Sequence, residues 1–341
     1  MRLLDLIAQG EHVLWAHSAD GSAHRLGGAG DHAQRLRACP LRYVLSDDLA
    51  RICAGIGYSD GMRLTECIDL LRAPAQRVWV EWCDEVRERE YLRAGGTQSQ
   101  NTNAPPAMRA GLLIAADASG RRGSFNTFWS TREHTAEVHV AALTTHFDFD
   151  DPEPTPGTVG ELLAGHPVAL LRDDTLAPLM RCVRYRFTAS WAQYYSRAAL
   201  GPQRAAHVVR ASLATVANDL PMLLALLLLF ATDAGVAPLP TDLTRLNRKR
   251  CALGKPPLLE HVVISLPLPH ERRLAVPPQG DASRRAPRWH HVRGHLVRRG
   301  SAIYWRAPHW RGHMRLGVVK TRTVELRAAE TPRLHGGAAR D

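Results

Sequence analysis

Acidic residues are nearly missing between Arg245 and Arg322, where Glu260, Glu271 and Asp281 face 18 Lys and Arg for a net charge of +15. The first 244 residues carry −4 and residues 323–341 balance at zero, so the overall +11 comes from one region. A surface that only stays hydrated intersperses both signs, and this segregation points instead to a polyanion partner. Lysine is scarce in the same region. Ten arginines accompany one lysine between 284 and 322, which favours bidentate phosphate contacts and stacking over diffuse charge.

Other absences narrow the class. None of the cysteines (Cys39, Cys53, Cys67, Cys83, Cys182, Cys251) forms a C-x-x-C pair, so they read as reduced, mostly buried thiols of a cytoplasmic protein. The most apolar run, "LPMLLALLLLFAT" from Leu220 to Thr232, has 13 residues and is too short to span a bilayer. It predicts a helix buried all round, with Pro221 marking a kink or the first turn. The opening "MRLLDLIAQGEHVLW" is broken by Asp5, Glu11 and His12 and has no secretory h-region. No membrane role and no cofactor are expected.

With 341 residues and 45% apolar content the chain can fill a substantial core. The expected class is α+β: a helical and antiparallel-sheet body followed by a small basic β-rich C-terminal module. Four regions are expected: 1–96, helical with a Trp-bearing strand; 107–266, an α+β core around the apolar helix; 267–288, a linker; and 289–341, the basic module. Within the first, "SDDLARICAGIG" offers Ser46 as an N-cap, and "TECIDLLRAP" is a helix closed by Pro74. "QRVWVEWCD" alternates as a strand, with Val78, Val80 and Trp82 on one face and Trp79 and Glu81 on the other. "AGLLIAAD", "SFNTFWS" and "AEVHVAALTTHFDF" predict an antiparallel meander. The acids that follow, Asp148, Asp150, Asp151 and Glu153, lack an ordered calcium-ligand spacing and read as a solvated loop. Later, "TDLTRLNRKRCALGKPPLLEHVVISL" predicts a short basic segment stopped by Gly254 and then a strand.

The tail repeats one phrase, His-x-Arg-Gly-His, at His291–His295 and again at His309–His313. "HLVRR-GS-AIYWR" predicts a hairpin, and "GVVKTRTVEL" a third strand with Lys320 and Arg322 on one side. Three chemistries suit these residues. Four imidazoles can ligate zinc, but no carboxylate lies between Arg284 and Arg322 to orient them, and no metal is expected. A histidine pair with a neighbouring cation fits metal-independent ribonuclease chemistry, for which His295 and His313 are the candidates. The favoured reading is polyanion binding, with RNA or the ribosome as partner. Its residues are Arg248, Lys249, Arg250 and Lys255 in the basic segment, then Arg293, His295, Arg298, Arg299, Trp305, Arg306, His309, Trp310, Arg311, His313, Lys320 and Arg322. A phage nucleic-acid-binding structural protein is a further reading of the same charges.

In order along the chain, "VWVEW", "LLALLLLF", "LTRLNRKRCALGKPPLLEHVV" and the "RGH" tail resemble a family of phage- and mobile-element-encoded proteins. That family includes an anti-CRISPR inhibitor of type V-A effector production. Arg293-Gly294-His295 and the later Trp305-Arg306 with Pro308 match its tail pattern. Leu296 and Val297 depart from the aromatic and histidine residues found there, and a second "RGH" at Arg311–His313 is added. The resemblance implies recognition of a nascent polypeptide during translation and loss of the encoding mRNA.

Overall fold

Val78 through Trp82 are buried on both sides of the strand they form, so an alternating sequence has become an interior strand with two covered faces. The computed structural model describes residues 2–10, 14–17, 23–25, 29–59, 61–96, 107–133, 135–151, 157–166, 181–189, 191–192, 201–217, 219–231, 237–265, 288–292, 295–299, 302–306 and 309–318. The helices are α1 (Leu3–Ile7), α2 (Ala29–Arg37), α3 (Asp47–Ser59), α4 (Gly61–Glu66), α5 (Asp84–Arg93), α6 (Val159–Leu163), α7 (Pro202–Ala217), α8 (Leu220–Phe230) and α9 (Thr244–Ala252). The strands are β1 (Leu14–His17), β2 (Ala23–Arg25), β3 (Leu41–Leu45), β4 (Arg77–Cys83), β5 (Ala107–Ala116), β6 (Arg122–Thr131), β7 (Val138–Asp148), β8 (Val183–Phe187), β9 (Ala237–Pro240) and β10 (Val262–Ser265). Five follow in the tail: β11 (Arg288–Val292), β12 (His295–Arg299), β13 (Ala302–Arg306), β14 (His309–Arg311) and β15 (His313–Val318).

The α+β class holds. A mixed ten-stranded sheet runs β2-β1-β7-β6-β5-β4-β3-β10-β9, with β8 paired to β7. The meander β5-β6-β7 is antiparallel as expected, and β4 joins it from Arg77 opposite Ala115 to Cys83 opposite Arg109. Residues 77–83 and 107–116 therefore lie in one sheet, on either side of the segment expected to divide two regions. The N-terminal stretch read as helical also contains β1, β2 and β3. "LRYVL" is too short for periodicity to identify, and its strand character comes from parallel partners on both sides, β4 and β10. A second difference concerns "TECIDLLRAP": α4 stops at Glu66, and a 3-10 turn at Ile68–Leu70 precedes Pro74.

Helices cover both faces. Glu81 accepts from α1 and Trp79 packs near Phe128, whose ring meets His32 of α2 edge-on at 5.3 Å. On the opposite face, Tyr43 of β3 lies against Phe230 at the end of α8, with ring centroids 5.2 Å apart. Helix α8 is buried from Met222 to Leu229, and Pro221 stands in its first turn, where its missing N–H costs nothing. Ser46 accepts from the Leu49 N–H at 3.3 Å, as its N-cap position requires.

α3 meets α8 at Gly57. A Cβ there would sit 2.7 Å from the Pro221 carbonyl oxygen and 2.8 Å from its carbonyl carbon. Backbone cannot swing aside as a side chain can, so Gly57→Ala should lower stability by about 1–3 kcal/mol. The check is a urea titration: the midpoint should drop with an unchanged slope, and a wild-type midpoint would contradict this packing.

Two compact units divide the chain, residues 1–268 with 296–305, and residues 269–295 with 306–341. Strands β12 and β13 pair with each other; residues 296–305 group with the larger unit, and His295 and Arg306 at their outer ends with the smaller. In the smaller unit β11 lies between β14 and β15.

Candidate polyanion interface

The basic segment expected before Gly254 is α9, inserted between the paired strands β9 and β10. Its start is set by Asp242, whose Oδ1 accepts from the Thr244 N–H at 2.9 Å; that bond and one from the Thr244 hydroxyl hold the carboxyl below the usual carboxylate range. Its end is a Schellman cap. Gly254 takes φ 67°, the Lys255 N–H donates to Arg250 O at 2.9 Å, and the Gly254 N–H to Cys251 O at 3.0 Å. Beyond the cap the chain folds back onto Asn247, whose side chain accepts from the Leu258 N–H at 2.7 Å and donates to Leu258 O at 2.9 Å. Arg250 Nε adds a bond to Pro256 O at 2.9 Å, and the Leu259 N–H donates to Asp5 Oδ1 at 2.8 Å.

An ordinary surface helix buries an apolar stripe. No residue of α9 is buried, and Leu246 and the following Leu253 are 46% and 62% exposed. Polar anchors at both ends therefore do the holding, and the faces stay open. Arg245, Arg248 and Lys249 recur at helical spacing on one side, all exposed, with exposed Lys255 just past the cap. Like charges so placed repel one another, a cost that an anionic partner removes.

Elsewhere in the larger unit, several arginines are matched with acids. Arg51 pairs with Asp48 at 2.7 Å, Arg87 with Asp84 at 2.6 Å, Arg121 with Asp150 at 2.6 Å, Arg132 with Glu85 at 2.5 Å, and Arg184 with Asp151. Asp148 takes Arg122 at 3.2 Å. The loop acids read as merely solvated are thus paired with arginines; Glu153 lies outside the described residues. Among the described residues, Arg245, Arg248, Lys249 and Lys255 have no carboxylate partner.

No family model, curated protein or solved structure matches this chain.

In the tail, β11 brings the two copies of the repeated phrase together: His291 is opposite Trp310, His290 opposite Arg311, and Val292 opposite His309. Arg306 and Arg311 are exposed, His295 is half-buried in β12, and a ring nitrogen of His290 lies 2.7 Å from Arg288 O. His295 and His313 both fall in the smaller unit, as the first residues of β12 and β15. Strand β15 pairs in parallel with β11; of the expected third strand from Gly317 to Leu326, only Gly317 and Val318 are described, at the end of β15, and the rest lies outside the described residues. Arg293, Lys320 and Arg322 lie outside the described residues; Arg298, Arg299, Trp305, His309, Trp310 and His313 are placed by backbone alone. Among the described residues there is no cluster of three metal-ligating side chains, and no helix is long and apolar enough to cross a membrane.

Arg248, Lys249, Arg250 and Lys255 were legible as cations. Arg250 is half-buried and turned into the fold-back, so it serves the scaffold first. Arg245 was missed, although its spacing to Arg248 and Lys249 was readable in the sequence.

Proposed function

We propose that this chain is a non-enzymatic, translation-coupled regulator that holds RNA, free or on the ribosome, through α9 and the basic tail. In keeping with the family it resembles, it would engage a nascent polypeptide and lower its target's expression through loss of mRNA in the host cytoplasm. One observation carries the RNA-binding part: four cations on a capped helix-and-loop segment with no buried helical residue, unmatched by acids among the described residues, where several other arginines of the same unit are paired. An Arg-rich surface with that geometry favours phosphate contacts through counterion release.

The test is binding of a fluorescent single-stranded RNA between 50 and 200 mM salt, wild type against a chain with Arg245→Gln, Arg248→Gln, Lys249→Gln and Lys255→Gln together. For single strands the log–log slope shrinks by about 0.7 for each phosphate that is no longer neutralised, so the four substitutions should reduce it by roughly three. An unchanged slope would overturn the reading. The RNA should also remain intact, since cleavage with a bell-shaped pH profile in EDTA would assign the histidines of the tail to catalysis. Preference for duplex DNA would favour a packaging role instead.

A further inference from the structure

On the side of the sheet where α2 packs, β6, β7 and β8 align two rows of polar residues. Ser124 is opposite His146 and His146 opposite Arg184; Asn126 is opposite Thr144 and Thr144 opposite Arg186. Arg35 of α2 donates from Nη1 to Asn126 Oδ1 at 3.4 Å, and Asn126 Nδ2 donates to Thr144 Oγ1 at 2.7 Å. Those bonds fix the orientation. Asn126 and Thr144 point toward α2, and strand alternation puts Ser124, His146, Arg184 and Arg186 on the same face.

This face has more positive charge than its acids balance. Arg184 is taken by Asp151, while Arg122 is shared by Asp148 and Asp150. Arg186 is exposed with no carboxylate partner among the described residues, and half-buried Arg35 is bonded only to an amide oxygen. Nε2 of His146 is buried without a hydrogen-bond partner. Burial, then Arg186 and Arg184, push that ring's pKa down. An unmatched guanidinium adds nothing to such a surface, whereas a bound anion would pair it, with the His146 ring close beside.

Position supports the same reading. Strands about 4.8 Å apart place β6 and β8 roughly 10 Å from each other, a span that two arginine side chains can close around one tetrahedral group. Behind Arg186 lies Gly165, at φ 83°, just past α6; a Cβ there would be 3.5 Å from Nε and Nη2 of Arg186, so a bare backbone turn backs the guanidinium. We propose that this patch is a binding site for a phosphate group, held between Arg186 and Arg35 over Ser124, Thr144 and His146.

The experiment uses the full chain, titrated with inorganic phosphate by calorimetry while the His146 ring is followed by NMR. Saturable binding that shifts the His146 resonances is expected. Arg186→Gln should weaken it about tenfold or more, the loss of one charged hydrogen-bonding group. Ser124→Asp, which sets a carboxylate in the site, should abolish it, and the α9 glutamine variant should leave it unchanged. A pair of oligonucleotides, one with a 5′-phosphate and one with a 5′-hydroxyl, identifies the source. Competition by the phosphorylated strand alone marks a nucleic-acid end as ligand, and competition by neither marks free phosphate. Absence of saturable binding, or binding untouched by Arg186→Gln and Ser124→Asp in chains with wild-type circular dichroism, would overturn the proposal without bearing on α9.

Discussion

Glu81→Ala should destabilise the fold by about 3–5 kcal/mol, the range for breaking a buried ion pair from one side. Glu81 is fully buried on β4. Its two carboxylate oxygens accept the Leu3 and Leu4 N–H groups of α1, each at 3.0 Å, and Oε1 also accepts Arg109 Nε at 2.5 Å. Arg2, at the N-cap of α1, supplies no side-chain bond. So one side chain caps a helix that is itself core, since Leu3, Leu4 and Ile7 are fully buried. Alanine would orphan two N–H groups and leave the mostly buried Arg109 guanidinium unmatched. Glu81→Gln should lose less, because its carbonyl still accepts while its NH2 faces donors. Urea unfolding monitored through tryptophan fluorescence measures both, and a Glu81→Ala chain within 1 kcal/mol of wild type would contradict this role.

Glu81 also shows how far the sequence could be read. Its strand, its face and the neighbouring tryptophans follow from a period of two, the β5–β7 meander from strand-forming runs between turns, and the tail hairpin from two such runs around Gly300-Ser301. The helix start at Pro221 and the stop at Gly254 follow from proline and glycine chemistry. All of these are local signals. What could not be read is long-range: Glu81 meets α1 across more than 70 residues, and β3 becomes a strand because β4 and β10 flank it in parallel. For the candidate site the same division holds. Charge was legible in α9, but its lack of any buried residue was not, because Leu243, Leu246 and Leu253 look alike in sequence, although the first is buried and the other two are exposed. The row of Ser124, His146 and Arg184 depends on the register of three strands, which no single segment encodes.

Arg87→Ala should cost a similar amount, about 3–5 kcal/mol near neutral pH, and the loss should grow as pH rises. Arg87 lies between α3, β4 and α8, gripping Asp84 through Nε at 2.6 Å and Nη2 at 2.9 Å and donating to the Tyr58 hydroxyl at 3.1 Å. Trp82 Nε1 donates to the same Asp84 oxygen at 3.2 Å. Asp219, just before α8, is buried beside them, and desolvation drives its carboxyl well above the usual range, with Arg87 pulling it partway back and Asp84 pushing it further up. A carboxyl raised in the folded state holds its proton there while the unfolded chain has already lost it. Stability is therefore full below the unfolded carboxylate pKa and falls as pH climbs toward the raised one, by at most about 1.4 kcal/mol per pH unit. Without Arg87 the restoring pull is gone and the carboxyl, already raised to about 8, rises further, so the variant's deficit should be larger at pH 9.5 than at pH 6. Asp219→Asn removes the titrating group and should flatten that slope in both backgrounds. Thermal unfolding at several pH values decides it: an Arg87→Ala deficit constant with pH, or a wild-type slope that survives Asp219→Asn, would rule out this coupling.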